Sequence, residues 1–134
     1  MRIHNRKGFT LVEIMIVVAI IALLAAIAIP NLLRARISAN DALAKSTLRS
    51  LSTATETYAT GNSGNYPLQI TSLTTGATPA YINKAYCGTT VSGFRYICTF
   101  EEGAYSFQAE PVSVGTSGTT TFTMTTGGIL TPPS

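Results

Sequence analysis

Residues 9–30 read FTLVEIMIVVAIIALLAAIAIP, and this stretch decides the fold of the chain. Of its first 21 positions 19 are apolar, whereas only 40 of the 105 residues from position 30 onward are apolar. As a helix that rises about 1.5 Å per residue, the apolar run spans roughly 31 Å, the thickness of a bilayer's hydrocarbon core. The sequence therefore predicts one membrane-spanning helix over residues 9–29, joined to a more polar domain.

The charges are unevenly distributed along the chain. Three of the nine basic residues, Arg2, Arg6 and Lys7, precede the apolar run and account for the whole formal net charge of +3. This excess predicts a cytoplasmic N-terminus, with the remainder of the chain outside the cytoplasmic (inner) membrane. Because the other six basic residues are balanced by six acidic ones, no specific nucleic-acid partner is predicted. The run is too long for a conventional secretory signal peptide.

Glu13 is the one charged residue inside the apolar run. A carboxylate at the middle of a membrane costs about 2.5 to 3.5 kcal/mol, and less near the interface. In one interpretation Glu13 reaches water from one turn inside the membrane and complements the positive end of its helix. In the other, cleavage after Gly8 exposes the amine of Phe9, and Glu13 of a neighbouring copy neutralises it and so fixes the stagger between packed helices.

The sequence has a basic leader that ends in Gly8, then FTLVE at residues 9–13, and then an apolar run that ends in Ile29-Pro30. This arrangement resembles the class III signal and N-terminal helix of type IV pilins and type II secretion pseudopilins. The resemblance implies that a prepilin peptidase cuts between Gly8 and Phe9 and methylates the Phe9 amine. It also implies that Phe9 and Glu13 direct filament assembly and that the helix bends or loosens at Pro30. A simple boundary between membrane segment and stem is the alternative for Pro30.

Beyond Pro30 the apolar pattern becomes one-sided, which predicts an amphipathic helical stem over residues 30–60 that ends near Thr60, before the turn-forming residues 61–65. We expect the apolar stripe to pack on a sheet, and we expect Asp41 and Lys45 to form an i,i+4 ion pair. The stripe consists of Leu33, Ile37, Ala44, Leu48, Leu51 and Tyr58.

The remaining residues, 61–134, predict a globular head. Alternating apolar residues in 94–100 and 105–109 predict two strands joined by a turn at 101–103. Residues 115–128 are Gly, Ser or Thr at 12 of 14 positions and predict a further strand that points Phe122 and Met124 at the helix. A short segment at 129–130 follows. The expected fold is α+β and pilin-like: one long N-terminal helix packed on an antiparallel sheet of three to four strands.

Cys87 and Cys98 are the two cysteines of the chain. In an exported domain an even pair predicts a disulfide rather than a metal site, which would need more ligands. Two unpaired buried thiols are the alternative. No metal site and no cofactor are predicted.

The residue types argue against an enzyme, because the sole histidine, His4, lies in the leader (residues 1–8) and would be removed with it. The resemblance implies a structural subunit of a type IV pilus-like filament that serves adhesion, motility or DNA uptake. Its partners would be further copies of itself, prepilin peptidase, the inner-membrane assembly machinery and, before assembly, the lipid bilayer. It would be a single-pass precursor first and part of an extracellular pilus afterwards.

Two alternatives to a pilus subunit stay open. The first is the major pseudopilin of a periplasmic type II secretion pseudopilus. The resemblance implies acidic calcium ligands in the C-terminal loops of such a protein, and residues 112–134 contain no Asp or Glu, which favours the pilus. The second is a membrane-anchored binding module that never polymerises. Replacement of Glu13 would separate this second alternative, since only a filament subunit depends on that carboxylate.

Overall fold

The computed structural model describes residues 7–133 of the 134-residue chain; the leader residues Arg2, His4 and Arg6 lie outside the described residues. Packing separates a unit that ends at Ala35 from a second unit that begins at Arg36. The elements in chain order are helix α1 (Leu11–Gly61), a 3-10 turn (Ile70–Leu73) and five strands: β1 (Thr90–Val91), β2 (Phe94–Glu101), β3 (Ala104–Pro111), β4 (Phe122–Thr125) and β5 (Ile129–Thr131).

Helix α1 is 51 residues long and continues through Pro30, which lies inside it. Pro30 has no amide hydrogen, so the helix continues there without one of its ladder hydrogen bonds. At the C-terminal end, the Gly64 amide donates to the Ala59 carbonyl at 2.8 Å, and Gly64 has a φ of +86°. Glycine adopts this left-handed conformation at little cost, so the chain leaves the helix one residue from the predicted end.

The five strands form one antiparallel sheet in the order β1-β2-β3-β4-β5. This confirms the α+β class and the predicted hairpin, in which Glu101 pairs with Ala104. The prediction of three to four strands was too low. The additional strand is β1, whose two residues are too few to show alternation; it turns into β2 through Ser92 and Gly93, both with positive φ (48° and 77°), as a two-residue type I′ hairpin requires.

The core of the second unit lies between α1 and one face of the sheet, where the alternating residues of β2, β3 and β4 are buried. Phe122 and Met124 point into this core, as predicted. The predicted helical stripe is buried at Ala44, Leu48 and Leu51, whereas Leu33 is 43% exposed and does not belong to it. The buried cluster consists of Ala44, Leu48, Leu51, Phe94, Tyr96, Tyr105, Phe107, Ala109, Phe122 and Met124.

The predicted strand over residues 115–128 forms only from Phe122 to Thr125. The preceding residues are held on α1 as a loop instead. The Asn40 amide donates to the Ser117 carbonyl at 2.8 Å, and the Asp41 carboxylate accepts from the Thr119 amide and hydroxyl at 3.0 and 2.7 Å. Hydrogen bonds to the helix therefore satisfy polar groups that a sheet would otherwise have paired.

Asp41 and Lys45 thus have partners other than each other. The Lys45 ammonium lies over the ring of Phe122, 5.4 Å from the ring centroid. The predicted i,i+4 ion pair is therefore not formed: Asp41 is hydrogen-bonded to Thr119, and Lys45 makes a cation–π contact. A cation–π contact is worth about 0.5 to 1 kcal/mol at an exposed site.

The last strand of the sheet, β5, pairs with β4, and no other strand of residues 7–133 pairs with its second side. Pro132 and Pro133 follow it directly. Proline donates no backbone hydrogen bond, so the ladder is not continued beyond Thr131 by these two residues.

Candidate functional site: the processing and assembly helix

The bond between Gly8 and Phe9 lies in the non-helical segment before α1, and both residues are exposed. Phe9 is 87% exposed. A Cβ built on Gly8 would meet nothing within 4 Å, so the fold itself places no demand for glycine at this position. A requirement for glycine here would come from a protein that recognises this bond from outside.

Thr10 and Glu13 form a reciprocal cap at the start of α1. The Thr10 amide donates to the Glu13 carboxylate at 2.8 Å, and the Glu13 amide donates to the Thr10 hydroxyl at 3.2 Å. This is a capping box, in which an N-cap Thr and an acidic residue three positions later satisfy two amides that the helix leaves unpaired. The role of Thr10 was not predicted from the sequence, although the Thr-x-x-Glu spacing before an apolar run signals it.

The cap places the carboxylate of Glu13 beside the residue that would become the second of the processed chain. Its negative charge also complements the positive end of the helix dipole. Within one chain, Glu13 therefore interacts with Thr10 and with the helix dipole. Its pairing with the Phe9 amine of a neighbouring copy stays a prediction. Glu13 is exposed, so its second carboxylate oxygen is accessible to a partner.

The apolar side chains that follow are exposed in the part of the chain that the structure describes. Their exposed fractions range from 49% for Ile14 to 77% for Leu11. Within the described residues, α1 is the one helix long and apolar enough to cross a membrane. A contiguous apolar surface of this extent exceeds what a soluble monomer exposes, so lipid or other protein must cover it. The small residues that would allow close helix packing are Ala22, Ala25, Ala26 and Ala28.

In the second unit, the Glu56 side chain on α1 binds residues from β3, from the turn between β4 and β5 and from the segment that follows α1. Its carboxylate accepts hydrogen bonds from the Tyr105 hydroxyl at 2.8 Å, the Gly127 amide at 3.0 Å and the Tyr66 hydroxyl at 3.1 Å. Burial raises the pKa of Glu56, but hydrogen bonds from Tyr105, Gly127 and Tyr66 outweigh it, so the pKa lies below its usual value. Burial, together with the neighbouring carboxylate, raises the pKa of Tyr105 to about 12. No short-range pattern in the sequence signals this cluster.

Cys87 and Cys98 form the predicted disulfide, which joins the segment before β1 to the middle of β2. Among the residues from 7 to 133, no three His, Cys, Asp or Glu side chains come together as a metal site. Of the other residues singled out from the sequence, Gly8, Phe9 and Glu13 lie together at the start of α1, and Pro30 lies within it.

The arrangement defines a class of protein: one with an exposed Gly8–Phe9 bond, a capped apolar helix and a disulfide-bonded α+β head. A family model described as the prokaryotic N-terminal methylation motif matches residues 3–29. The chain is 36% identical over 110 residues to the Thermus thermophilus protein named type IV wide pilus major component PilA4, covering 81% of this chain and 84% of that protein. The chain belongs to the type IV pilin family.

A second relative matches a shorter part of the chain. Over 54 residues the chain is 50% identical to the Myxococcus xanthus protein named type IV major pilin protein PilA, which covers 40% of this chain and 24% of that protein. No solved structure matches the chain significantly. Both relatives are named as major pilus components, which favours a pilus over a secretion pseudopilus.

Proposed function

We propose that this chain is a major structural subunit of a type IV pilus, polymerised through its N-terminal helix. The observation that carries the proposal is that an exposed Gly8–Phe9 bond precedes an apolar helix whose side chains no other described residue covers. Lateral packing of residues 9–29 from many copies would replace lipid contacts in the filament core. Residues 1–8 are the removed leader, residues 30–60 the stem and residues 61–134 the head.

Processing gives Glu13 a new partner. Cleavage after Gly8 creates a positive amine on Phe9, which prepilin peptidase then methylates. In an incoming subunit the Glu13 carboxylate is still hydrogen-bonded to the Thr10 amide of the same chain, so α1 enters the filament with its first turn formed. In the bundle the carboxylate also meets the Phe9 amine of the adjacent copy, because an unpaired buried carboxylate costs several kcal/mol. The inner-membrane machinery supplies the subunit, and Pro30 is where α1 adjusts during the transfer.

The first experiment is mass spectrometry of the N-terminus of the protein purified from its own cells. We expect a chain that begins at a methylated Phe9. A mature chain that retains residues 1–8, or that has lost the whole apolar run, would contradict the proposal. The same preparation is examined for filaments by shearing, sedimentation and negative-stain microscopy.

The second experiment separates docking from helix capping. Glu13→Ala removes both the cap and the charge, whereas Thr10→Ala removes the hydroxyl of the cap and keeps the carboxylate. We expect both variants to be processed, Glu13→Ala to lose at least about tenfold in filament yield, and Thr10→Ala to retain most of it. Equal losses of filament yield in the two variants would mean that Glu13 acts only as a cap. Wild-type filament yield from both variants would refute its role in assembly.

A further inference from the structure

The head and the part of α1 that begins at Arg36 form the second unit, and several charged side chains of this unit have partners within it. Asp41 binds Thr119, Glu56 binds two tyrosines, and Arg95 lies opposite Glu110 in the β2-β3 register. Within the described part of the chain, no hydrogen bond or ion pair occupies the side chains of Glu101, Glu102, Arg49 or Arg36. These exposed charges are therefore available for intermolecular contacts.

A groove runs along the solvent side of α1. It consists of two adjoining hollows, of about 370 and 360 Å³, that share Ser50 and Tyr81 in their walls. Arg49 lines one hollow and Lys84 lines the other, and no Asp or Glu of the described residues lines either. The groove is thus a positively charged recess with hydroxyl and amide groups from Ser50, Thr53 and Asn83.

The outer wall of the groove is held in place at both ends. At one end the amides of Tyr81 and Ile82 donate to the Leu73 carbonyl at 2.9 and 3.1 Å, and Leu73 is fully buried. At the other end Cys87 is bonded to Cys98 of β2. The Lys84 ammonium rests over the Tyr86 ring, 5.3 Å from its centroid. A recess with a fixed wall binds a partner at a lower entropic cost than a mobile loop does.

The acidic counterpart is the turn between β2 and β3. Glu101 pairs with Ala104, so Glu102 and Gly103 form a two-residue tip, with Gly103 at a φ of +77°. Glu101, Glu102 and Gly103 are all exposed. The tip adjoins Asn65 and Leu68 in its own head and does not line the basic groove of that head. A groove and a turn at different places on one head can meet only between copies.

We propose that the groove beside α1 binds the acidic turn, residues 101–103, of a neighbouring subunit, with Arg49 and Lys84 facing Glu101 and Glu102. The inference rests on the proposed filament function. Each subunit offers one groove and one turn, so the contact is heterologous, and heterologous contacts that do not close into a ring generate a helical filament. Complementary charges also fix the orientation in which one head accepts the next.

The test is a charge swap in the full-length chain, expressed in its own cells. Arg49→Glu with Lys84→Glu places like charges at the contact, as does Glu101→Lys with Glu102→Lys. We expect each double variant to lower filament yield several-fold and the fourfold variant, which restores opposite charges, to recover at least half the wild-type yield. The matched control swaps Arg95→Glu with Glu110→Lys on the sheet, which leaves the contact intact and should assemble normally.

A crosslink provides a second measurement that does not depend on stability. Ser50→Cys with Glu102→Cys should give a ladder of disulfide-linked oligomers from sheared filaments on non-reducing gels, and either single variant should not. Wild-type yield from both double charge variants, or no rescue in the fourfold variant together with no ladder, would overturn the inference. If the mature N-terminus and the dependence on Glu13 persist in that case, only the groove contact fails and the filament function stands.

Discussion

The first unit and the head use similar apolar residues in opposite ways. In residues 11–29 the large aliphatic side chains are 49 to 77% exposed, whereas Leu48, Leu51 and Phe107 of the second unit are fully buried. In the second unit the sheet packs against α1 and covers these core side chains, so their burial needs no partner. The apolar helix has no such cover, so its side chains depend on lipid or on other copies of the chain.

This difference separates two kinds of mutational effect. Substitutions in the head core should change the free energy of unfolding of the head and reach the filament only through loss of folded subunit. Substitutions in residues 9–29 should leave the head's stability unchanged and act on membrane insertion or assembly. The predictions below test that separation, beginning with the largest expected effect.

Leu48→Ala, compared with Leu24→Ala, tests the separation directly. Leu48 is fully buried against the sheet, so its truncation should destabilise the head by about 2 to 5 kcal/mol, because a cavity remains. Leu24 is 61% exposed, and its truncation should not change head unfolding measurably. Thermal unfolding of the full chain in detergent, followed by the near-UV circular dichroism of tyrosine, measures both. Similar losses for the two variants would contradict the separation.

Replacing both Cys87 and Cys98 by serine should cost the head about 3 kcal/mol, because the bond closes a short loop and reduces the freedom of the unfolded chain. Processing after Gly8 should continue normally. Denaturant unfolding with and without reductant gives the stability, and N-terminal mass gives the processing. A head that unfolds at the same denaturant concentration in both states would refute a stabilising role for the bond.

Tyr105→Phe should destabilise the head by about 1 to 2 kcal/mol, because it removes the hydroxyl that bonds both Ser52 and Glu56. The wild-type head should also lose stability as the pH rises from about 10 to about 12. The reason is that Tyr105 has a higher pKa in the folded head than in the unfolded chain, so the unfolded chain loses this proton first. That part of the alkaline loss should be missing in Tyr105→Phe. An unchanged alkaline profile in the variant would refute the assignment.

Acid should have the smallest effect. The pKa of Glu56 is lowered below 4.5 in the folded head, so its contribution is complete above that pH and is lost as the pH falls through the folded value. Because solvent screens this carboxylate, the loss should be under about 1 kcal/mol. Below pH 4.5 the free energy of unfolding of the head should fall less steeply with pH in Glu56→Gln than in the wild type. A steeper profile in the variant would mean that another carboxylate dominates.

The elements predicted correctly from the sequence are those set by local pattern. The apolar run, the β2-β3 hairpin and the helix end, which lies within one residue of its predicted position, depend on periodicity and turn residues within a few positions. Cys87 and Cys98 were paired correctly because the chain offers one pairing. Thr10 could have been identified as a cap from its spacing to Glu13.

The elements that escaped prediction depend on contacts between distant residues. Residues 115–121 have the composition of a strand or a flexible segment. They form a loop because Ser117 and Thr119 hydrogen-bond to Asn40 and Asp41 of α1 and because Ser113, Gly115, Ser117 and Gly118 hydrogen-bond among themselves. Glu56 meets Tyr105 and Gly127 across 49 and 71 residues. Tertiary partners decide such positions, so local propensity could not indicate them.

The two prolines that follow β5 bear on how copies of this protein can join. A bare strand edge invites the sheet of one molecule to extend into the next, which is the route to amyloid-like stacking at high local concentration. Pro132 and Pro133 remove two amide donors where that edge would lengthen. A three-residue edge strand followed by prolines is a poor template for strand addition, so we expect crowded heads to lie side by side without merging their sheets.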